Sequence, residues 1–492
     1  MVLGSAHGHV GRSARRRKVA GAGVLVLLAL VATACGSRLP DDVLAEIDAQ
    51  RAGFDGAGGT AAQAAGDISG TADTVPGAGG SSGTVAGGGT AASGATDGGG
   101  GSGGAGAAQA ASCSGGGGGA PGVTATEIKV ATMVTASGPL PGATEGSYRG
   151  AQAYFAKINA EGGICGRKIT VVKGDDGLDP QRARGEFLRL EPNVFAFVGS
   201  LAVADSGYVD LVASTKVPYI GTFVDPAGRA ASNVFPRLLS GVAQTGPFVY
   251  YRQQYPDVKN VAFLFADIGG VRENTPASRE GIKRVGYNIV YDSGAQSTAP
   301  DFTAEVINMQ RAGTQMVYLF AFEVNMHVRL ARNMRQQNFE PPLKVGQIAY
   351  NSKLIELLGD ISNGWSNHID YLPMLNPDEP ARSPALQEFI TWNQRVFPGA
   401  QIDLFPVNAW SSSALFAEAL RAVGADVTRE RLLAALEAIK STDGGGIRGP
   451  SNPSTGETDG CFIIVKVVNR TWVREHPAEG YDCDLGEGYK YG

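Results

Sequence analysis

From Glu127 onward the chain alternates short apolar runs with amphipathic stretches, and it does so twice in succession. The run "EIKVATMV" (127–134) reads as a buried strand. Tyr148, Ala151, Phe155 and Ile158 then recur at helical spacing, and Gly162 and Gly163 close that helix. "KITVVKGDD" is the next strand, and Asp179-Pro180 starts a helix with a capping carboxylate followed by Pro at the first helical position. "VFAFVG" (194–199) and "VPYIGT" (217–222) are strands with a helix between them. The rhythm restarts with strand "VKNVAFLFAD" (258–267) and helix "TPASREGIKRVG". "YNIVYDSG", "TQMVYLFAF" (314–322) and "LKVGQIAY" follow as strands, separated by helices "DFTAEVINMQRAG" and "NMHVRLARNMRQQNF". Two such β/α runs predict an α/β fold with two parallel sheets, each carrying helices on both faces. Sheets of this kind take ligands at the carboxyl ends of their strands, so two side by side give a cleft. Beyond Trp410, "SSALFAEALRAVG" and "TRERLLAALEAIK" are amphipathic helices, and "GCFIIVKVVNRTWVRE" reads as a late hairpin.

The start of the chain does not read as part of that fold. Arg12, Arg15, Arg16, Arg17 and Lys18 precede an apolar run, Val19 to Val31, that is too short to cross a bilayer. Residues 1–35 therefore read as an export signal. Ala32, Thr33 and Ala34 directly before Cys35 resemble the lipobox of bacterial lipoproteins, although Leu is more usual where Ala32 stands. Lipidation of Cys35 is expected; the alternative is an ordinary cleaved signal with a chance cysteine. Residues 36–121, rich in Gly, Ala, Ser and Thr, hold too little apolar surface to offset the entropy of ordering. They read as a flexible tether with a reach on the order of 45–50 Å. Its "GSGGAG" (101–106) has no strand before it and no helix after it, and is discounted as a nucleotide motif.

Composition excludes several classes of function. A net charge of −5 and a pI near 5.7 argue against nucleic acid. No other segment is apolar for long enough to span a membrane. The five histidines are scattered, and no HExxH, GxSxG, P-loop or CxxC pattern occurs in the folded part, so neither an enzyme, a metal site nor a cofactor is expected. With Cys35 taken by lipid, an even number of cysteines remains in an exported chain: Cys113, Cys165, Cys461 and Cys483. Three pairings are possible. Cys113–Cys165 with Cys461–Cys483 is the expected one, fastening the end of the tether to the first lobe and closing a short C-terminal loop.

Four stretches, "PGVTATEIKVATMVTASGPLPG", "INAEGGICGRKITVVKGDDGLDPQRAR", "VFAFVGSLAVADSGYVDLVASTKVPYIG" and "NAWSSSALFAEALRAVG", stand in an order that resembles a known family. The chain is similar to the solute-binding lipoproteins of branched-chain amino acid and amide ABC transporters, over essentially all of residues 122–470. The resemblance implies the type I periplasmic-binding-protein fold, with two Rossmann-like lobes joined by a three-crossover hinge. Residues 122–241 and 373–445 would form lobe 1, and residues 242–372 and 446–492 lobe 2. It further implies capture of a small amino-acid-like or amide-like solute by hinge closure, and delivery to permease subunits in the membrane. The protein would be a monomer, lipid-anchored on the extracytoplasmic face of the cell membrane.

The ligand groups implied come from loops after the strands. In lobe 1 these are Ser137, Ser200, Leu201, Ala202, Val203, Thr222, Phe223 and Asp225; in lobe 2 they are Asp267, Phe322, Glu323, Gln347 and Tyr350. The chain departs from amino-acid binders of the family. Val203, Phe223 and Asp225 stand where hydroxyls are usual, and Ala143 and Gly270 where aromatic residues often cap the ligand. Phe223 with Phe322 would sandwich a flat or apolar group, or each is simply core. Asp225, Asp267 and Glu323 would pair with a cation, or serve only as helix and turn caps. Two rival functions fit the same fold: a sensor or scavenger without a permease, and a structural surface lipoprotein.

Overall fold

The computed structural model describes residue 113, residues 119–236, 242–455, 460–486 and 488–490. The signal stretch, Cys35 and most of the tether lie outside the described residues. Among the described residues no helix is long and apolar enough to cross a membrane.

Two parallel sheets form the frame. The first contains β1 (Glu127–Val134), β2 (Lys168–Asp175), β3 (Ala196–Ser200), β4 (Tyr219–Gly221) and β5 (Val234–Phe235) in the order β2-β1-β3-β4-β5. The chain then makes β6 (Val242–Gln244) and enters the second sheet. That sheet holds β7 (Asn260–Ala266), β8 (Asn288–Ala295), β9 (Met316–Phe320), β10 (Leu343–Gly346) and β11 (Trp365–Ile369). It is completed by the hairpin β12 (Ile463–Val468) and β13 (Thr471–His476), giving the order β13-β12-β11-β10-β9-β7-β8. The pairs from β7 to β11 are parallel, and β12 joins β11 antiparallel. β14 (Gly488–Lys490) pairs with β6. The interior strands β3 and β7 are apolar on both faces because helices cover both sides, whereas the edge strand β2 alternates buried and open residues.

Three helices that follow β11 return to the first sheet. Helix Leu404–Val423 lies against helix Glu145–Ala160, with Trp410 edge-on to Tyr154 at 4.9 Å and to Phe389 of helix Pro384–Val396 at 5.3 Å. A Cβ on Gly150 would stand 2.3 Å from the Pro406 carbonyl oxygen, so this helix crossing requires glycine there. From helix Arg429–Ala438, Arg429 donates to the Phe195 and Val194 carbonyls and pairs with Glu191 at 2.7 Å. The chain thus passes between the two lobes three times. Both expected disulfides form, Cys113–Cys165 and Cys461–Cys483.

Two expectations about elements are corrected. The helix read as beginning at Thr275-Pro276 begins at Gly269 and runs to Arg284, with Pro276 inside it. Pro276 has no N–H to give the Arg272 carbonyl one turn back. The Thr275 hydroxyl donates to that carbonyl instead, at 2.7 Å, and the helix continues. The strand read as 343–350 stops at Gly346, because the Gln347 side chain folds back to accept from the Ala321 N–H at 3.1 Å.

His327 of helix Val324–Gln336 is fully enclosed beside Trp365, at 4.0 Å between rings, and neither ring nitrogen has a hydrogen-bond partner among the described residues. Burial, helped by the Lys344 charge, pushes its pKa down to about 3. The unfolded chain therefore takes up a proton near pH 6.5 that the folded one refuses, so this stability is full above pH 6.5 and is lost as pH falls toward 3. His327→Leu is expected to remove it. Between pH 8 and pH 5 the parent should lose about 2 kcal/mol more than the variant in urea unfolding. Parallel pH profiles for the two proteins would refute the assignment.

Candidate functional site

A cavity of about 500 Å³ lies where the two lobes meet the three crossovers. Thr222, at the end of β4, lines it from the first lobe, and Gln347, just past β10, from the second. Its hinge-side wall is built by His368 and Asp370 at the end of β11, by the returning segment Thr442–Asn452, and by Cys461 and Phe462. Two antiparallel bridges, Tyr371 with Arg448 and Thr442 with Ser451, tie the crossover strands together there. Helix Leu404–Val423 supplies the remaining wall with Leu404, Asn408, Ser411, Ser412 and Leu415. Their spacing of three and four residues puts them on one helical face.

The charges of this wall neutralise each other. Arg448 donates to Asp370 and, at 2.6 Å, to the Asn408 Oδ1. Burial pushes the His368 imidazole down to about 4 against the opposing pull of Asp370, so it is neutral at physiological pH. Two polar atoms of the wall are buried without a hydrogen-bond partner among the described residues: Ser411 Oγ and His368 Nδ1. Ser411 is only 8% exposed. Such atoms cost free energy unless something enters to bond them.

The strand-end loops of the first lobe are occupied by the protein's own carboxylates. Asp175 accepts from the backbone N–H groups of Ala136 and Ser137 at 2.9 and 3.1 Å and from the Ser137 hydroxyl at 2.6 Å. Burial alone would raise its pKa, but these hydrogen bonds and one from Gly177 outweigh it and hold the group at about 2. Asp176, buried beneath, accepts from Thr135 Oγ1 and from the Ala204 and Leu178 N–H groups. Asp205 is buried and accepts from the Val224 and Asp225 N–H groups at 2.5 and 3.0 Å; burial still pushes its pKa up to about 8.

Of the residues expected to bind ligand, Thr222 and Gln347 line the cavity. The Ser200 hydroxyl accepts from the Met133 N–H at 3.0 Å inside the first lobe. Leu201 bridges Val134, and Ala202 is fully buried. The Val203 N–H donates to Thr135 Oγ1 at 2.9 Å. Asp225 caps helix Pro226–Arg229 and Glu323 caps helix Val324–Gln336. Asp267 accepts from Arg272 and, at 2.8 Å, from Gln296. Tyr350 is buried against Trp472 and accepts from the Leu375 N–H at 2.6 Å.

The aromatic sandwich is corrected. Phe223 packs on Tyr219 at 4.4 Å in the first lobe's core, and Phe322 on Phe302 at 5.9 Å in a separate core cluster, each 1% exposed. Apolar side chains at a strand end are drawn inward when a core lies beneath them. Gly270 is a point of contact between lobes: a Cβ there would stand 2.8 Å from Val224 Cγ1, and Asn274 nearby donates to the Val224 carbonyl at 2.8 Å.

The sequence reading missed Asn408, Ser411 and Ser412, and it missed His368, Asp370 and Arg448. A signal for the first three was present. In an otherwise apolar helix, these polar residues and Leu415 repeat at helical spacing on one face. Nothing local marks Arg448, whose role arises from the meeting of distant segments.

The family model described as "Periplasmic binding protein" matches residues 127–471. The Leu/Ile/Val/Thr-binding protein of Salmonella typhimurium is 23% identical over 263 residues, 49% of this chain and 67% of its own. A Leu/Ile/Val-binding protein homolog 7 of Brucella abortus is 26% identical over 245 residues, 45% of this chain and 59% of its own. Among solved structures, a fatty acid ABC transporter substrate-binding protein from Thermomonospora curvata has TM-score 0.60 and 19% identity over 76% of this chain and 94% of that one. A leucine binding protein from Thermotoga maritima has TM-score 0.58 and 16% identity over 71% and 97%. At these identities the structural likeness speaks for the fold.

Proposed function

Because the chain belongs to the periplasmic binding protein family, whose members are solute-binding proteins, we propose that it captures a small solute between its lobes and delivers it to ABC permease subunits in the membrane. The observation that carries this reading is the cavity shared by both lobes and walled by all three crossovers. A ligand held there touches Thr222 and Gln347 at once only when the lobes are close, so its binding favours closure. The closed form is then what the permease recognises, and no covalent chemistry is involved. Residues 122–241 with 373–445, and 242–372 with 446–492, act as the two moving bodies. Lipid on Cys35 and the tether of residues 36–121 keep the capturing part near the membrane on its outer face.

The relatives named above bind branched-chain amino acids or fatty acids by their own descriptions, which brackets the chemistry to screen. The test is the melting temperature of the purified chain against amino acids, amides, polyamines, fatty acids and aromatic acids. A solute at a hundredfold excess over its Kd stabilises the folded state by about 2.7 kcal/mol. A rise in Tm of a few degrees with one chemical class is the expected result. A folded, disulfide-bonded sample that responds to none of them overturns solute capture.

A further inference from the structure

Resting on that reading, we propose that the cleft takes an uncharged solute and rejects free amino acids and other carboxylates. The solute offers amide or hydroxyl groups to the Asn408–Ser412 wall and an apolar flank to Leu404, Leu415 and Phe462.

The argument starts from what a zwitterion needs. A carboxylate bound at the ends of parallel strands is held by backbone N–H groups that nothing else uses. In the first lobe seven of those groups are already taken. Ala136 and Ser137 give theirs to Asp175, Ala204 to Asp176, and Val224 and Asp225 to Asp205. The Val203 N–H goes to Thr135 and the Thr222 N–H to the Ser200 carbonyl at 2.8 Å. An incoming carboxylate would have to displace an internal carboxyl group, and beside Asp175 would meet like charge where it needs donors.

An ammonium group fares no better. Among the described residues, the acids at the strand ends are engaged. Asp225 and Glu323 each accept from the first N–H groups of a helix. Asp267 is held by Arg272, and Asp370 by Arg448. Arg448 is in turn shared with Asn408. What the cavity wall offers besides the Arg448–Asp370 pair is neutral: the Ser412 hydroxyl, the Asn408 amide and an uncharged His368. Ser412 is 7% exposed and lines the cavity, and its hydroxyl makes no hydrogen bond among the described residues, which suits a polar but not a charged visitor. The same helical face adds Leu404 and Leu415, and Phe462 also lines the cavity. A volume of about 500 Å³ exceeds what a single amino acid fills and suits a larger neutral solute.

The experiment compares two panels on the purified full chain by thermal melting and titration calorimetry. The neutral panel is benzamide, N-acetyl-L-leucinamide and uridine; the charged panel is L-leucine, L-glutamate, octanoate and spermidine. At least one neutral compound is expected to raise Tm at millimolar concentration while no charged one does. Ser412→Ala is expected to weaken that compound about tenfold and to leave the ligand-free Tm unchanged, because the hydroxyl it removes makes no hydrogen bond in the ligand-free protein. Stabilisation by leucine, glutamate, octanoate or spermidine overturns the neutral class and leaves solute capture standing. Unchanged affinity in Ser412→Ala overturns the placement in this cavity. No response to either panel overturns solute capture itself, and the ligand class with it.

Discussion

Replacing Arg474 by Met is expected to cost about 3–5 kcal/mol of stability, the largest effect of any single substitution considered for this chain. Arg474 stands on β13, at the edge of the second sheet, and reaches Glu379 at the start of helix Glu379–Arg382. Nε donates to Glu379 Oε2 at 3.0 Å, and Nη2 donates to Oε1. Nη1 donates to the carbonyls of Gly480 at 2.8 Å and Pro477 at 3.2 Å. The side chains are 5% and 7% exposed, so both charges are desolvated and depend on each other. Removing the guanidinium leaves a carboxylate enclosed with no cation, and that is what makes the loss large. The double variant Arg474→Met, Glu379→Leu should recover most of it, since two apolar groups need no pairing. Urea unfolding of both variants decides the matter. A single variant within about 1 kcal/mol of the parent would mean that water reaches Glu379 and that the pair holds little.

The second large effect concerns the C-terminal strap. The Cys461–Cys483 bond closes a loop of 22 residues in sequence. Beside it, Phe462 and Asp482 exchange two backbone hydrogen bonds at 2.9 and 3.0 Å. Further on, β14 pairs with β6, the strand of the first crossover. The tail therefore ties the second sheet to the hinge. Converting both cysteines to Ala should cost about 3 kcal/mol through the added freedom of the unfolded chain. Amide exchange should accelerate first at residues 242–244, which lose their neighbour strand once the tail is released. If reduction alters neither Tm nor exchange at β6, the bridges and the β14 pairing hold the strap without the disulfide.

How much of this was legible beforehand differs between frame and site. The alternation of apolar runs with helical periodicity was enough for two parallel sheets, because a strand buried on both faces must be apolar throughout. Asp179 caps its helix as the Asp-Pro pair predicted, accepting from the Arg182 N–H at 2.8 Å, since that chemistry is local. Four cysteines allowed three pairings, and the favoured one, which closes a short C-terminal loop, is the one that forms. The strand-end loops were placed correctly as loops, yet their side chains went elsewhere. Phe223 turned into the core, and the Ser137 hydroxyl turned to the internal acceptor Asp175.

The difference has a physical cause. Periodicity, caps and turns depend on neighbours in sequence, so the residues alone determined two β/α runs and the helices that follow them. Whether a loop N–H meets a ligand or an internal carboxylate depends on segments far apart in the chain. Asp205 reaches Val224 across 19 positions, Asp175 reaches Ser137 across 38, and Arg448 reaches Asp370 across 78. Only the packed fold brings these groups within hydrogen-bonding distance. That satisfaction of donors and charges is decided in three dimensions and is written in no single stretch of the chain.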